Sequence, residues 1–171
     1  MTKGDDDGAA VPRAIELSDH FRSWLEGNGS SATALEAVLT ATRARATGLW
    51  RLEGEHLVLL GFRAVADMAP QVSEAFAAAT RRTPLAADDL AIVKAFTTRQ
   101  PTQGRLQAHD LPGSASWLQR FGAVESLAVP ALAGTETVGV LAISSCEAIP
   151  SGGPVWTLMV DLTAAITPSL T

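Results

Sequence analysis

Two apolar runs split by a short turn constrain this chain more than any other feature. They are Leu127–Leu132 and Val138–Ile143. Between them lies Ala133-Gly134-Thr135-Glu136, where Gly134 can take the positive φ of a tight turn. Both runs are nearly continuous in apolarity, as strands covered on both faces are. The pair is therefore expected near the centre of a sheet, with helices on each side. Pro130 cannot donate to a ladder, so it must sit at a bulge or where no N–H is needed. Gly139 marks a bulge or a close approach of neighbouring backbone.

The bulk properties set the remaining bounds. A chain of 171 residues fits one domain with a self-sufficient core. With 47% hydrophobic and 18% charged residues it should be globular. The net charge of −5, with no Lys or Arg after Arg120, argues against nucleic acid and against anionic membranes. Cys146 stands alone, so no internal disulfide forms. The acidic start is unlike a signal peptide, no apolar run reaches bilayer length, and a cytoplasmic protein is expected.

In chain order, residues 1–11 read as a disordered acidic tail and residues 12–168 as one domain. Pro12 opens a helix to Glu26, with Leu17, Phe21, Trp24 and Leu25 on one face. Ser30 or Ser31 caps a second helix carrying Leu35, Val38 and Leu39, which Gly48 stops. Leu49–Leu52 and His56–Phe62 form a hairpin about Glu53-Gly54-Glu55. A helix follows from about Pro70 to Thr80, then a connection through Arg81–Leu85. Asp88 or Asp89 caps the next helix, which ends before Pro101. Gln103–Gln107 is a short edge strand. Ser114 caps a short helix with Trp117, Leu118 and Phe121 on one side. After the central pair, Pro154 opens a last helix with Val155, Leu158, Met159, Leu162 and Ile166 inward. Consecutive strands joined by hairpins predict an α+β fold on a mostly antiparallel sheet.

Four segments together resemble the GAF domain family. They are Ala46–Leu52 with His56–Leu60, Ala95–Pro101, Ser126–Leu132 and Val138–Leu141. In order and spacing they cover about Leu35 to Ile166. The resemblance implies a GAF-like (profilin-like) antiparallel sheet of five or six strands. Terminal helices would cover one face, and short helices and loops would roof a pocket on the other. It also implies a homodimer through the terminal helices.

On that fold the pocket would be lined by Phe96, Arg99, His109, Trp117 and Phe121, facing Trp50 and Val129. Aromatic walls with a few polar groups suit a small molecule, although each aromatic can equally be core. Arg99 either meets an anionic ligand or is a solvated helix-end cation. His109, beside Asp110, is either a ligand contact or a solvated loop residue; among haem-binding relatives, it would be the one candidate here. The histidines and the single thiol lack metal-ligand spacing. Cys146 lacks the adjacent histidine of the family's bilin binders. A lone thiol also departs from the family's methionine-sulfoxide reductases, and the cyclic-nucleotide signature of other members is missing. No cofactor is named.

The function expected is therefore a non-enzymatic sensory module. It would bind a small molecule and signal through its terminal helices to a kinase, another regulator or a parent protein. The alternative is a protein-interaction or dimerisation domain with a filled pocket.

Overall fold

Local chemistry explains most of the element ends. In the computed structural model, which describes residues 13–171, helix α1 runs Ala14–Leu25 and α2 runs Ser31–Thr42. The expected acidic tail and Pro12 lie outside the described residues. Ser30 Oγ accepts the Thr33 amide at 3.1 Å and caps α2. The helix ends at Arg43, which takes φ 57°, and not at Gly48, which lies inside strand β1 (Ala46–Glu53). Strand β2 (His56–Ala64) returns through a turn where Gly54 has φ 62°.

Helix α3 (Pro70–Thr80) begins on its proline. Arg82–Pro84, expected as a connection, forms a three-residue strand, β3. Helix α4 (Ala91–Thr98), strand β4 (Thr102–Arg105) and helix α5 (Pro112–Phe121) follow. Here the capping expectations fail. Neither Asp88 nor Asp89 caps α4; the Ala91 amide instead donates to Ser114 Oγ at 2.8 Å, so α5 supplies the acceptor. Helix α5 starts one turn earlier, at Pro112, where a missing N–H costs nothing.

Strands β5 (Glu125–Ala133) and β6 (Glu136–Ser145) form the expected hairpin, with Gly134 at φ 65°. Helix α6 (Pro154–Ile166) and a 3-10 turn, Thr167–Leu170, complete the fold.

The sheet order is β3-β2-β1-β6-β5-β4, and every pair is antiparallel. The two apolar runs are thus internal strands. Strand β4 pairs with β5 only as far as Ala128, so Pro130 has no neighbour on that side to supply with an amide. Gly139 is a close approach: a Cβ there would lie 2.5 Å from the Trp50 carbonyl oxygen. The irregularity in β5–β6 falls instead between Ala131 and Leu132.

Helices α1, α2 and α6 cover one face, where Phe21, Leu35, Met159 and Leu162 pack on Leu49, Leu127, Leu141 and Ile143. Helices α3, α4 and α5 cover the other, over Trp50, Leu57, Ala128 and Val140. Among the described residues no helix is long and apolar enough to cross a membrane.

A small polar clamp ties the sheet edge to the approach of α6. Glu125 Oε2 accepts the Ile149 amide at 2.5 Å, and Gln103 Nε2 donates to the Ile149 carbonyl at 2.6 Å. Arg105 holds both clamping side chains, donating to Gln103 Oε1 at 2.8 Å and Glu125 Oε1 at 3.3 Å. Ile149 is buried, so Glu125→Ala strands its amide. A loss of about 1–3 kcal/mol is expected in urea unfolding, the cost of one unsatisfied buried donor.

Candidate functional site

The two faces of the central strands differ in side-chain size, and that difference makes a cavity. On β5, Leu127, Val129 and Ala131 pack toward α1, α2 and α6, while Ser126 and Ala128 point the other way. On β6, Leu141 and Ile143 join the helical face, while Ala142 and Ser144 line the opposite side. Gly48 adds a fifth small position, on β1, where a Cβ would sit 2.6 Å from the Trp50 ring. A floor of small residues leaves room under the roof.

The walls and roof are aromatic. Trp50 lies on β1, and its Nε1 donates to the Thr80 carbonyl at 3.0 Å, which fixes the C-terminal end of α3 to the sheet. Phe62 reaches the same side because β2 shifts register: Leu49 pairs with Gly61 but Trp50 with Leu59, so Leu60 is the extra residue. That one-residue bulge moves Phe62 onto the face of Leu57 and Leu59. Phe76 descends from α3, and Trp117 and Phe121 from α5. Arg45 Nε donates to the Phe121 carbonyl at 2.7 Å, satisfying the end of α5. Outside, the Arg120 guanidinium lies 4.3 Å from the centre of the Trp117 ring.

The cavity measures about 50 Å³. Its lining holds hydroxyls from Thr47, Thr80, Ser114, Ser126 and Ser144, and no ionisable side chain. Thr47 Oγ1 donates to the Ala142 carbonyl at 2.9 Å, and Thr80 Oγ1 to that of Phe76, also at 2.9 Å. Ser126 differs: it is only 9% exposed, and its Oγ has no hydrogen-bond partner. A larger open groove runs along β4, lined by Lys94, Gln100, Arg105 and Asp110, with Lys94 and Asp110 paired at 3.6 Å.

Three of the expected pocket residues, Trp50, Trp117 and Phe121, meet at the cavity. Four do not. Val129 belongs to the helical face, because strand alternation gives the cavity Ser126 and Ala128 instead. Phe96 lies past the part of α4 that meets the cavity, which is Ala91 and Ile92; its carbonyl accepts from Thr137 Oγ1 at 3.0 Å. Arg99 ends α4 with φ 59° and is exposed, and His109 is exposed in the loop after β4. Phe62, Phe76 and Ser126 line the cavity beyond the expected set. The alternation of small and large residues in Ser126–Val129 was the signal for Ser126; nothing local announced the bulge behind Phe62.

Among the described residues no group of three His, Cys, Asp or Glu side chains stands close enough to hold a metal ion. Cys146 is exposed just after β6.

Comparison with known proteins extends this picture. No curated protein matches the chain. Among solved structures, the GAF domain of a phosphoenolpyruvate-protein phosphotransferase from Acinetobacter is 13% identical, with 92% of each chain covered and a TM-score of 0.60. The free methionine-R-sulfoxide reductase of Neisseria meningitidis, solved with its substrate, is 14% identical; the match covers 92% of this chain and 87% of the enzyme, with a TM-score of 0.61. The type II reductase of Thermoplasma acidophilum is 13% identical, covering 90% of this chain and 94% of that one, with a TM-score of 0.59.

The expectation of a non-enzymatic protein is corrected by these similarities. Enzymes carry the same fold over nearly their whole length, so the fold is compatible with catalysis. The family model described as GAF domain matches residues 30–158, three quarters of the sequence, and the chain belongs to the GAF domain family.

Proposed function

We propose that this GAF domain is a regulatory module that binds a small molecule in the aromatic cavity and passes the change to α6. The observation that carries the proposal is Ser126 Oγ, a buried and unpartnered hydroxyl of a residue lining the aromatic-walled cavity. Buried polar groups are nearly always satisfied, and an unmet one costs about 1–3 kcal/mol. A ligand with one polar atom would recover that cost.

The route outward starts one residue away. Glu125 precedes Ser126 on β5, points to the opposite face and holds the Ile149 amide ahead of α6. A ligand that moves β5 would thereby move the entry of α6. It shifts that equilibrium only by binding the two arrangements unequally.

Thermal denaturation with a panel of small molecules tests this reading. A ligand that fits should raise the melting temperature of the wild type, and Trp117→Ala should abolish the gain. An equal shift in both proteins would place the ligand elsewhere. The reductase relatives add an enzymatic arm: turnover of free methionine sulfoxide by a thiol reductant, measured beside Cys146→Ser.

A second reading is favoured by the cavity's size. Ligand pockets usually span about 300–1,000 Å³, and this one holds about 50 Å³. In that reading the domain is a dimerisation or interaction module using α1, where Ile15 is 65% exposed, together with α6. A stable dimer that takes up no ligand under any condition would support it.

A further inference from the structure

We infer that the Phe76 ring occupies the place of the ligand, and that the site takes a flat, uncharged aromatic molecule with one hydrogen-bonding atom for Ser126. The inference rests on the ligand-binding reading above and names the ligand's chemistry.

Phe76 is the hub of the aromatic cluster. Its ring centre lies 4.8 Å from that of Phe62, 5.1 Å from those of Trp117 and Phe121, and 6.1 Å from that of Trp50. It meets Trp50, Trp117 and Phe121 at 73–89°, edge to face, the arrangement that ring quadrupoles favour. The walls are thus shaped and polarised for one neutral ring, and Phe76 is that ring. This explains how an aromatic-walled site can measure only about 50 Å³: it is filled from within.

The helix that delivers the plug is weakly held. Thr80 is the one buried residue of α3, and the N-terminal end has no side-chain cap. Thr80 is tied to the sheet through Trp50 Nε1. The helix is therefore tied by a hydrogen bond at its C-terminal end, and before Phe76 it is held only by the apolar packing of Met68 and Val72. Segments with little burial open at small free-energy cost. Tilting α3 about Thr80 would withdraw Phe76 and leave a ring-sized space between Phe62, Trp117 and Phe121.

The lining selects against charge. A carboxylate or ammonium in this cavity would lose its water and find no counter-ion, which is far costlier than burying a neutral group. One polar atom is welcome at Ser126 Oγ, a lining hydroxyl without a partner, and the floor positions Gly48, Ala128 and Ala142 carry no polar side chain.

The test uses the full chain and two probes of the same shape: indole, which has an N–H, and indene, which lacks it. By calorimetry, Phe76→Ala should bind indole about ten-fold more tightly than the wild type if the open form is about a tenth of the population. Adding Ser126→Ala should weaken indole and leave indene unchanged. Equal affinity of wild type and Phe76→Ala overturns the plug. Equal loss of both probes on Ser126→Ala overturns the hydrogen bond, and tighter binding of indole-3-acetate than of indole overturns the exclusion of charge.

Wild-type protein saturated with indole gives a reading independent of any variant. Amide exchange in Pro70–Thr80 should quicken as the helix is displaced, whereas unchanged or slower exchange rejects the plug. A different ligand found in the cavity with Phe76 still in place would reject this inference and keep the proposed function. Absence of any cavity ligand would remove both.

Discussion

Replacing Trp50 with alanine should lower the unfolding free energy by about 3–5 kcal/mol, the range for deleting a buried aromatic. Trp50 is 1% exposed and sits on an internal strand. Its ring packs so closely over Gly48 that no Cβ fits there, and its Nε1 satisfies the Thr80 carbonyl. The substitution removes the wall, opens a void and strands a helix-end acceptor. At this chain length about 2–4 °C accompany each kcal/mol, so the melting temperature should fall by about 6–20 °C. Calorimetry reads both quantities. A fall of only a degree or two would mean that the ring is not buried against the sheet. Because Trp50 also fixes the end of α3, amide exchange in α3 should rise more than in α6.

Leu141→Ala should cost a comparable amount, about 2–5 kcal/mol, but with a different signature. Leu141 is fully buried on the neighbouring strand and faces α1, α2 and α6. Its loss creates a void in the helical layer and leaves the aromatic cavity untouched. Denaturant unfolding should show the drop. Ligand-induced stabilisation, measured relative to the variant's own baseline, should survive in Leu141→Ala and vanish in Trp50→Ala. If both variants lose ligand stabilisation equally, the two faces do not divide the labour of folding and binding as described.

The same division shows what could be read from the residues alone. Continuous apolarity in Leu127–Leu132 and Val138–Ile143 places these strands inside the sheet, and they are inside it. The hairpins follow from Gly54 and Gly134, both at positive φ. Features carried by distant partners were not legible. Ser114 caps α4 across 23 residues, and no local pattern signals a cap of that kind. Strand β3 is three residues long and ends in proline, too short for alternation to register.

At the site, an aromatic in a short helix suggested a roof, and Trp117 and Phe121 meet Trp50 at the cavity. Val129 faces α1, α2 and α6 and not the cavity, as the alternation of small with large in Ser126-Leu127-Ala128-Val129 requires. Apolarity alone hid that alternation, since Leu, Ala and Val all count as apolar. Phe62 depends on an extra residue at Leu60, and Phe76 on how an alanine-rich helix docks; both are decided by tertiary packing.

Native mass spectrometry of the wild type and Trp117→Ala, each mixed with neutral aromatic molecules, decides whether the cavity is a ligand site. One small molecule should be held per wild-type chain and none on the variant, whatever the number of chains in the particle. A wild-type chain that stays bare across the panel, or a variant that holds the same molecule as firmly, would contradict it.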